Sequence, residues 1–173
     1  AGQWAEQQQS FRELLFVLFG VVCAILLVPL FAFRSWRLAG SVLAIALASL
    51  AGVFVALHAM GSTFNIASFV GAIMVVGIVA ENAYFLVAAY LEALGRGEAP
   101  GDAAESAAHR RARPVLMTTL AGVAALAALA IGQGSGAALL QPLAIAVIGG
   151  FAGSAPLLLL VLPHWLAATG RAD

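Results

Sequence analysis

The 173-residue sequence has no lysine, one cysteine and sixteen charged side chains, 9% of the chain. Soluble domains carry about 25% charged residues, and so few cannot dress a water-facing surface of this size. The scarcity excludes a soluble enzyme. The 63% apolar content and mean hydropathy of +1.03 exclude a disordered chain. Formal net charge is zero, so there is no basic footprint for nucleic acid. Cys23 lies alone in an apolar run, so no internal disulfide forms. What the sequence does have is long charge-free stretches. They make it an all-α polytopic membrane protein, embedded in lipid and not an enzyme.

Gaps between charges place the spans. Leu14 to Phe33 is 20 residues without a charge, Leu38 to Ala80 is 43, and Pro114 to Gly170 is 57. One spanning helix needs about 20 apolar residues, so each of the last two runs holds about two spans. His58-Ala59-Met60-Gly61-Ser62-Thr63 divides the second run, and Gly132-Gln133-Gly134-Ser135-Gly136 divides the third. The expectation is a bundle of five transmembrane helices over residues 12–33, 38–59, 64–92, 114–132 and 139–167, forming one domain with a cytoplasmic loop at 93–113. Barrel strands alternate over about ten residues, and these runs do not.

Arginine sets the orientation. Arg34 and Arg37 lie in one loop, Arg96, Arg110, Arg111 and Arg113 in another, and Arg171 in the tail; only Arg12 is on the other side. By the positive-inside rule those three segments are cytoplasmic, giving an N-out/C-in chain. The polar start, Ala1 to Ser10, lacks the basic region of a signal peptide. Its translocation implies a preceding segment and hence a C-terminal fragment of a larger protein; the alternative is a small protein inserted by its own first helix.

Several local features bear on packing. Ala44, Ala48 and Gly52, and again Gly149 and Gly153, repeat at four-residue spacing, which lets helices approach closely in lipid. Pro114 and Pro142 sit near expected helix starts, whereas Pro29 and Pro156 lie inside spans and should kink them. Pro100-Gly101-Asp102 with Glu105 has the pattern of a helix start with a capping box. A short surface helix is expected to run from there into the fourth span.

Glu81 is the one charged residue deep within a span. It lies ten residues from the cytoplasmic end near Leu91, about 15 Å in and close to the midplane. An acid there costs on the order of 2.5–3.5 kcal/mol to insert. It is therefore expected to face the bundle interior, where desolvation favours the protonated form. A carboxyl poised between protonation states suits a proton-driven transporter; a permanently protonated packing residue is the alternative. Asn82 is adjacent. Thr118 and Thr119 enter on the next helix, either bonding their own i−4 carbonyls or serving a relay with Glu81. Arg111 and Arg113 lie at the cytoplasmic mouth, as anchors or relay partners. His58, His109 and His164, with Met60, Met74 and Met117, are spread over different depths, so no metal site is expected.

Three stretches resemble one family. They are Gly77-Ile78-Val79-Ala80-Glu81-Asn82-Ala83, then Arg111-Ala112-Arg113-Pro114-Val115-Leu116-Met117-Thr118-Thr119, then Gln141-Pro142-Leu143 through Gly149-Gly150. With Phe11-Arg12-Glu13-Leu14-Leu15 and Phe33-Arg34-Ser35-Trp36-Arg37, they are similar to the resistance–nodulation–division (RND) efflux transporters over essentially the whole chain. The resemblance implies a multi-pass inner-membrane proton antiporter with two six-helix halves. Of these the five spans match the last five of one half, the C-terminal half being favoured. It implies a homotrimer, with a periplasmic adaptor, an outer-membrane channel and the remainder of the same transporter chain as partners, and no cofactor. By motif position Arg111 and Thr118 align with relay residues, joining Glu81 and Asn82 as the candidate proton relay. The family often has Lys-Asn where this chain has Glu81-Asn82. An acid at that position resembles the heavy-metal branch, whereas Val115 departs from the lysine common there. Drug and metal export both stay open. Alternatives to a proton-driven permease subunit are a protein-export auxiliary subunit of the same superfamily and a non-transporting membrane scaffold.

Overall fold

The computed structural model describes residues 2–132 and 137–170, the side chains of the first few excepted. Among these residues there is no strand. The helices are α1 (Gly2–Phe33), α2 (Trp36–Ala48), α3 (Leu50–Ala59), α4 (Ile66–Gly95), α5 (Pro100–Ala130), α6 (Ala137–Pro156) and α7 (Leu162–Thr169), with a π-helical turn, Leu157–Val161, joining the last two. They compose five helical rods long and apolar enough to cross a membrane: Gln8–Phe33, Trp36–Ala59, Ile66–Gly95, Pro100–Ala130 and Ala137–Thr169. The expected helical bundle is therefore present. Much of the Gly132 to Gly136 turn lies outside the described residues.

α4 is the centre. Val75, Val76, Val79, Ala83, Leu86 and Val87 on one side of it are buried. α1, α2, α5 and α6 surround that side. Lipid tails are as apolar as these side chains, so association depends on close packing rather than on escape from water. The sequence meets that need with small residues. α3 crosses α6 so closely that a Cβ added to Gly52 would stand 2.5 Å from the Gly149 carbonyl oxygen and 3.1 Å from the Gly153 Cα. The Tyr90 hydroxyl donates to the Leu166 carbonyl at 3.2 Å, tying α4 to α7.

Helix ends follow local chemistry. α4 begins with a reciprocal capping box: the Ser68 amide donates to Asn65 Oδ1 at 3.0 Å, and the Asn65 amide donates to Ser68 Oγ at 2.8 Å. The second span has a break at Ser49, whose hydroxyl donates to the Ala46 carbonyl at 2.6 Å. α6 gives way to the π turn directly after Pro156, a disturbance of the kind proline imposes by removing a donor.

Three local expectations are corrected. Pro114 does not start a helix; it lies in the middle of α5, which runs unbroken from Pro100 to Ala130. The arginine-rich segment therefore belongs to the same rod as the fourth span, and the connection from α4 shrinks to residues 96–99. α5 does start at Pro100, but with Ala99 at its N-cap and no side-chain capping bond, so the expected box at Asp102 is absent. Proline at the first helical position gives up no bond there. Pro29 lies within α1.

Candidate functional site

Glu81 stands at the midpoint of α4. Its direction is not the expected one. The packed side of α4 is filled by valine, alanine and leucine, and Glu81 is exposed on the opposite side, in a stripe with Met74 and Phe85. The reason is spatial. Residues 74, 81 and 85 fall on one face of a 3.6-residue helix, and among the described residues that face is left largely exposed. Glu81 lines an open cavity of about 290 Å³ between α1 and α4, walled by Ile25, Val28 and Pro29 on one side and by Gly77, Ala80 and Tyr84 on the other. Among the described residues it has no hydrogen bond or ion pair.

The other candidates sit as follows. Asn82 is half-buried and donates from Nδ2 to the Ile78 carbonyl of its own helix at 3.2 Å. Thr118 is exposed, and its hydroxyl donates to the Pro114 carbonyl one turn back at 2.8 Å. Arg111 is half-buried, with its guanidinium carbon 4.7 Å from the centre of the Phe85 ring. That contact brings α5 to the Glu81 stripe, because Phe85 lies one turn from Glu81. Thr118 is two turns from Arg111 along α5, beside the exposed Leu116, Met117 and Leu120. Arg113 is exposed. The structure thus joins Arg111 to the face of α4 that carries Glu81, while Asn82 and Thr118 are engaged with their own backbones.

Phe85 and Tyr84 escaped the sequence reading. The available signal was spacing, since an aromatic four residues after Glu81 shares its face. Tyr84 stacks on Phe33, the last residue of α1, with ring centres 4.9 Å apart.

At the end of α4 an ionic clasp closes the 96–99 connection. Arg96 donates to Glu92 at 2.7 Å and to Glu98 at 2.9 Å, and Arg110 lies 3.5 Å from Glu92. The hydrogen bond from Arg96, then one from Ser106, holds the Glu98 carboxyl below the usual carboxylate range. The Glu98 bond in turn raises the Arg96 guanidinium. His109 and His164, far apart in sequence, line one cavity of about 470 Å³ with Glu105. Among the described residues no three side chains of metal-ligating type converge.

Comparison with known proteins places this arrangement. The profile of the AcrB/AcrD/AcrF family matches residues 1–168. The nickel and cobalt resistance protein CnrA of Cupriavidus metallidurans is 36% identical over 94% of this chain. The multidrug resistance protein MdtC of an Enterobacter species is 37% identical over 65% of it. A crystal structure of a heavy metal efflux pump superposes on 97% of the chain with a TM-score of 0.78 and 31% identity. The chain spans 15% of CnrA, 11% of that MdtC and 17% of the crystallised pump. A match across nearly the whole sequence, with five membrane-length helices in the arrangement of a solved pump, means that this chain belongs to the AcrB/AcrD/AcrF family of resistance–nodulation–division transporters.

Proposed function

We propose that this chain is the membrane part of a permease subunit in which proton entry drives export. The observation that carries the reading is Glu81: a lone carboxyl at the midpoint of the central helix, exposed and with no hydrogen-bond or ion-pair partner among the described residues. Membrane-depth acids are costly and mark ion or proton pathways. One charge crossing 100 mV is worth about 2.3 kcal/mol, so a carboxyl that loads on one side and unloads on the other extracts useful work. Asn82, Arg111 and Thr118 complete the proposed relay. Arg111 is the member that contact with α4 supports most directly. Similarity to metal-resistance and multidrug-resistance proteins supports export of metal ions or drugs by the whole subunit, from the inner membrane. A homotrimer working with a periplasmic adaptor and an outer-membrane channel fits the same family.

The test is a pair of substitutions in the full-length protein. Glu81→Gln keeps the shape and removes the charge change, so proton-coupled export should fall severely at normal membrane levels. Glu81→Asp should keep partial activity. If Glu81 were only a protonated packing residue, Gln would be nearly silent and Asp the worse change. A fully active Glu81→Gln transporter removes Glu81 from the relay.

A further inference from the structure

We propose that Phe85, backed by Tyr84 and Phe33, is a positioning residue that sets where the Arg111 guanidinium sits relative to Glu81; this rests on the relay reading above. Phe85 is not spent on the core, being 39% exposed while its neighbour Leu86 is fully buried. What its ring face meets is Arg111, at 4.7 Å. Beside it the Tyr84 ring makes an edge contact at 5.7 Å, and Tyr84 stacks on Phe33 at 4.9 Å. The row therefore runs from the end of α1, across α4, to an arginine of α5. It crosses one turn from Glu81, about 6 Å along the helix axis.

Arginine has a long, flexible stem and near a membrane surface turns its head towards water. An aromatic face at membrane depth opposes that escape, because the negative ring face attracts the cation and little water competes. With the ring in place, the guanidinium stays on the face of α4 that carries the acid. Without it, Arg111 is free to turn away from that face of α4 towards the cytoplasmic water. Because Phe33 ends α1, any shift of α1 against α4 also moves the stack beside the ring. The row is thus a mechanical link between α1 and the cation.

The test uses the full-length protein in vesicles with an imposed proton gradient. Position 85 carries phenylalanine with one, two or three ring fluorines, which keep the shape while draining the ring face of negative charge. Transport should fall stepwise, reaching about fivefold with three fluorines. Phe85→Trp should stay near the native rate, and Phe85→Leu should match the trifluoro ring. In an Arg111→Gln background the fluorine series should be flat. A flat series with Arg111 present, or a Phe85→Leu protein as active as native, overturns the positioning role. If that happens while Glu81→Gln and Arg111→Gln are both severe, the relay stands and only this inference falls. If Glu81→Gln is silent, the relay falls, and a graded fluorine effect still reports the ring acting on Arg111.

Discussion

At Gly52 the backbone itself is the contact surface. A side chain there meets the Gly149 carbonyl and the Gly153 Cα, and neither can rotate away. Gly52→Leu should therefore destabilise the full-length protein by about 1–3 kcal/mol or more through overpacking. Gly20→Leu, where nothing lies within 4 Å of an added Cβ, should leave stability near native. Thermal unfolding of both variants in the same detergent checks the contrast. The Arg96–Glu98 pair makes a different prediction. The folded Glu98 carboxyl is held below its ordinary value, first by the hydrogen bond from Arg96. Its contribution is therefore fully present above the unfolded carboxylate value of about 4.3 and is lost as pH falls through the folded value. The amides of residues 96–99 should stay protected at neutral pH and exchange faster only below about pH 4. Hydrogen exchange across a pH series measures this, and added salt should weaken the effect because the pair is partly exposed to solvent.

Among the elements, α5 departs most from expectation. Its arginines and Pro114 suggest a loop and a fresh start, yet they lie in one helix with the fourth span. Arg110 beside Glu92, and Arg111 over Phe85, hold the first part of that rod along α4. The other spans were legible because a charge-free run about 20 residues long has few alternatives in lipid. A helix running from Pro100 into the fourth span was expected as well; the place of Pro114 inside it rather than at a start was not legible, because a proline inside a helix is tolerated only where neighbouring structure compensates, and a sequence does not show its neighbours. Capping shows the same limit. Asp102 has the right spacing but no bond, whereas the Asn65–Ser68 pair makes one. The positive-inside rule assigns seven of the eight arginines in the sequence to the cytoplasmic side, so cysteines placed at 96–99 in a Cys23-free protein should resist an impermeant thiol reagent applied outside intact cells. A cysteine at Gly132 should react. Labelling at 96–99 would reverse the topology.

In the whole molecule, the uncovered faces matter as much as the packed ones. Met74, Glu81 and Phe85 on α4, and Leu116, Met117 and Leu120 on α5, are exposed. The mid-helix place of Glu81 was legible from sequence; its direction was not, because that depends on which face of α4 its neighbours pack against. Thr118 was ambiguous for another reason, since its hydroxyl can satisfy its own helix, and here it does. An uncovered polar face is costly in lipid. The 173-residue chain produced alone should therefore show no proton-coupled export in vesicles and should self-associate. Export by the isolated chain, or a strictly monomeric chain on detergent sizing, would contradict this. The close crossing of α3 and α6 also has a consequence for biosynthesis. Gly52 and Gly149 are ninety-seven positions apart. At about 5–20 residues per second, the ribosome makes the second half of this contact roughly 5–20 seconds after the first. During that interval the second span waits in the bilayer with its glycine groove unfilled, so nascent chains stalled before Gly149 should be the ones that membrane insertion factors hold and cross-link.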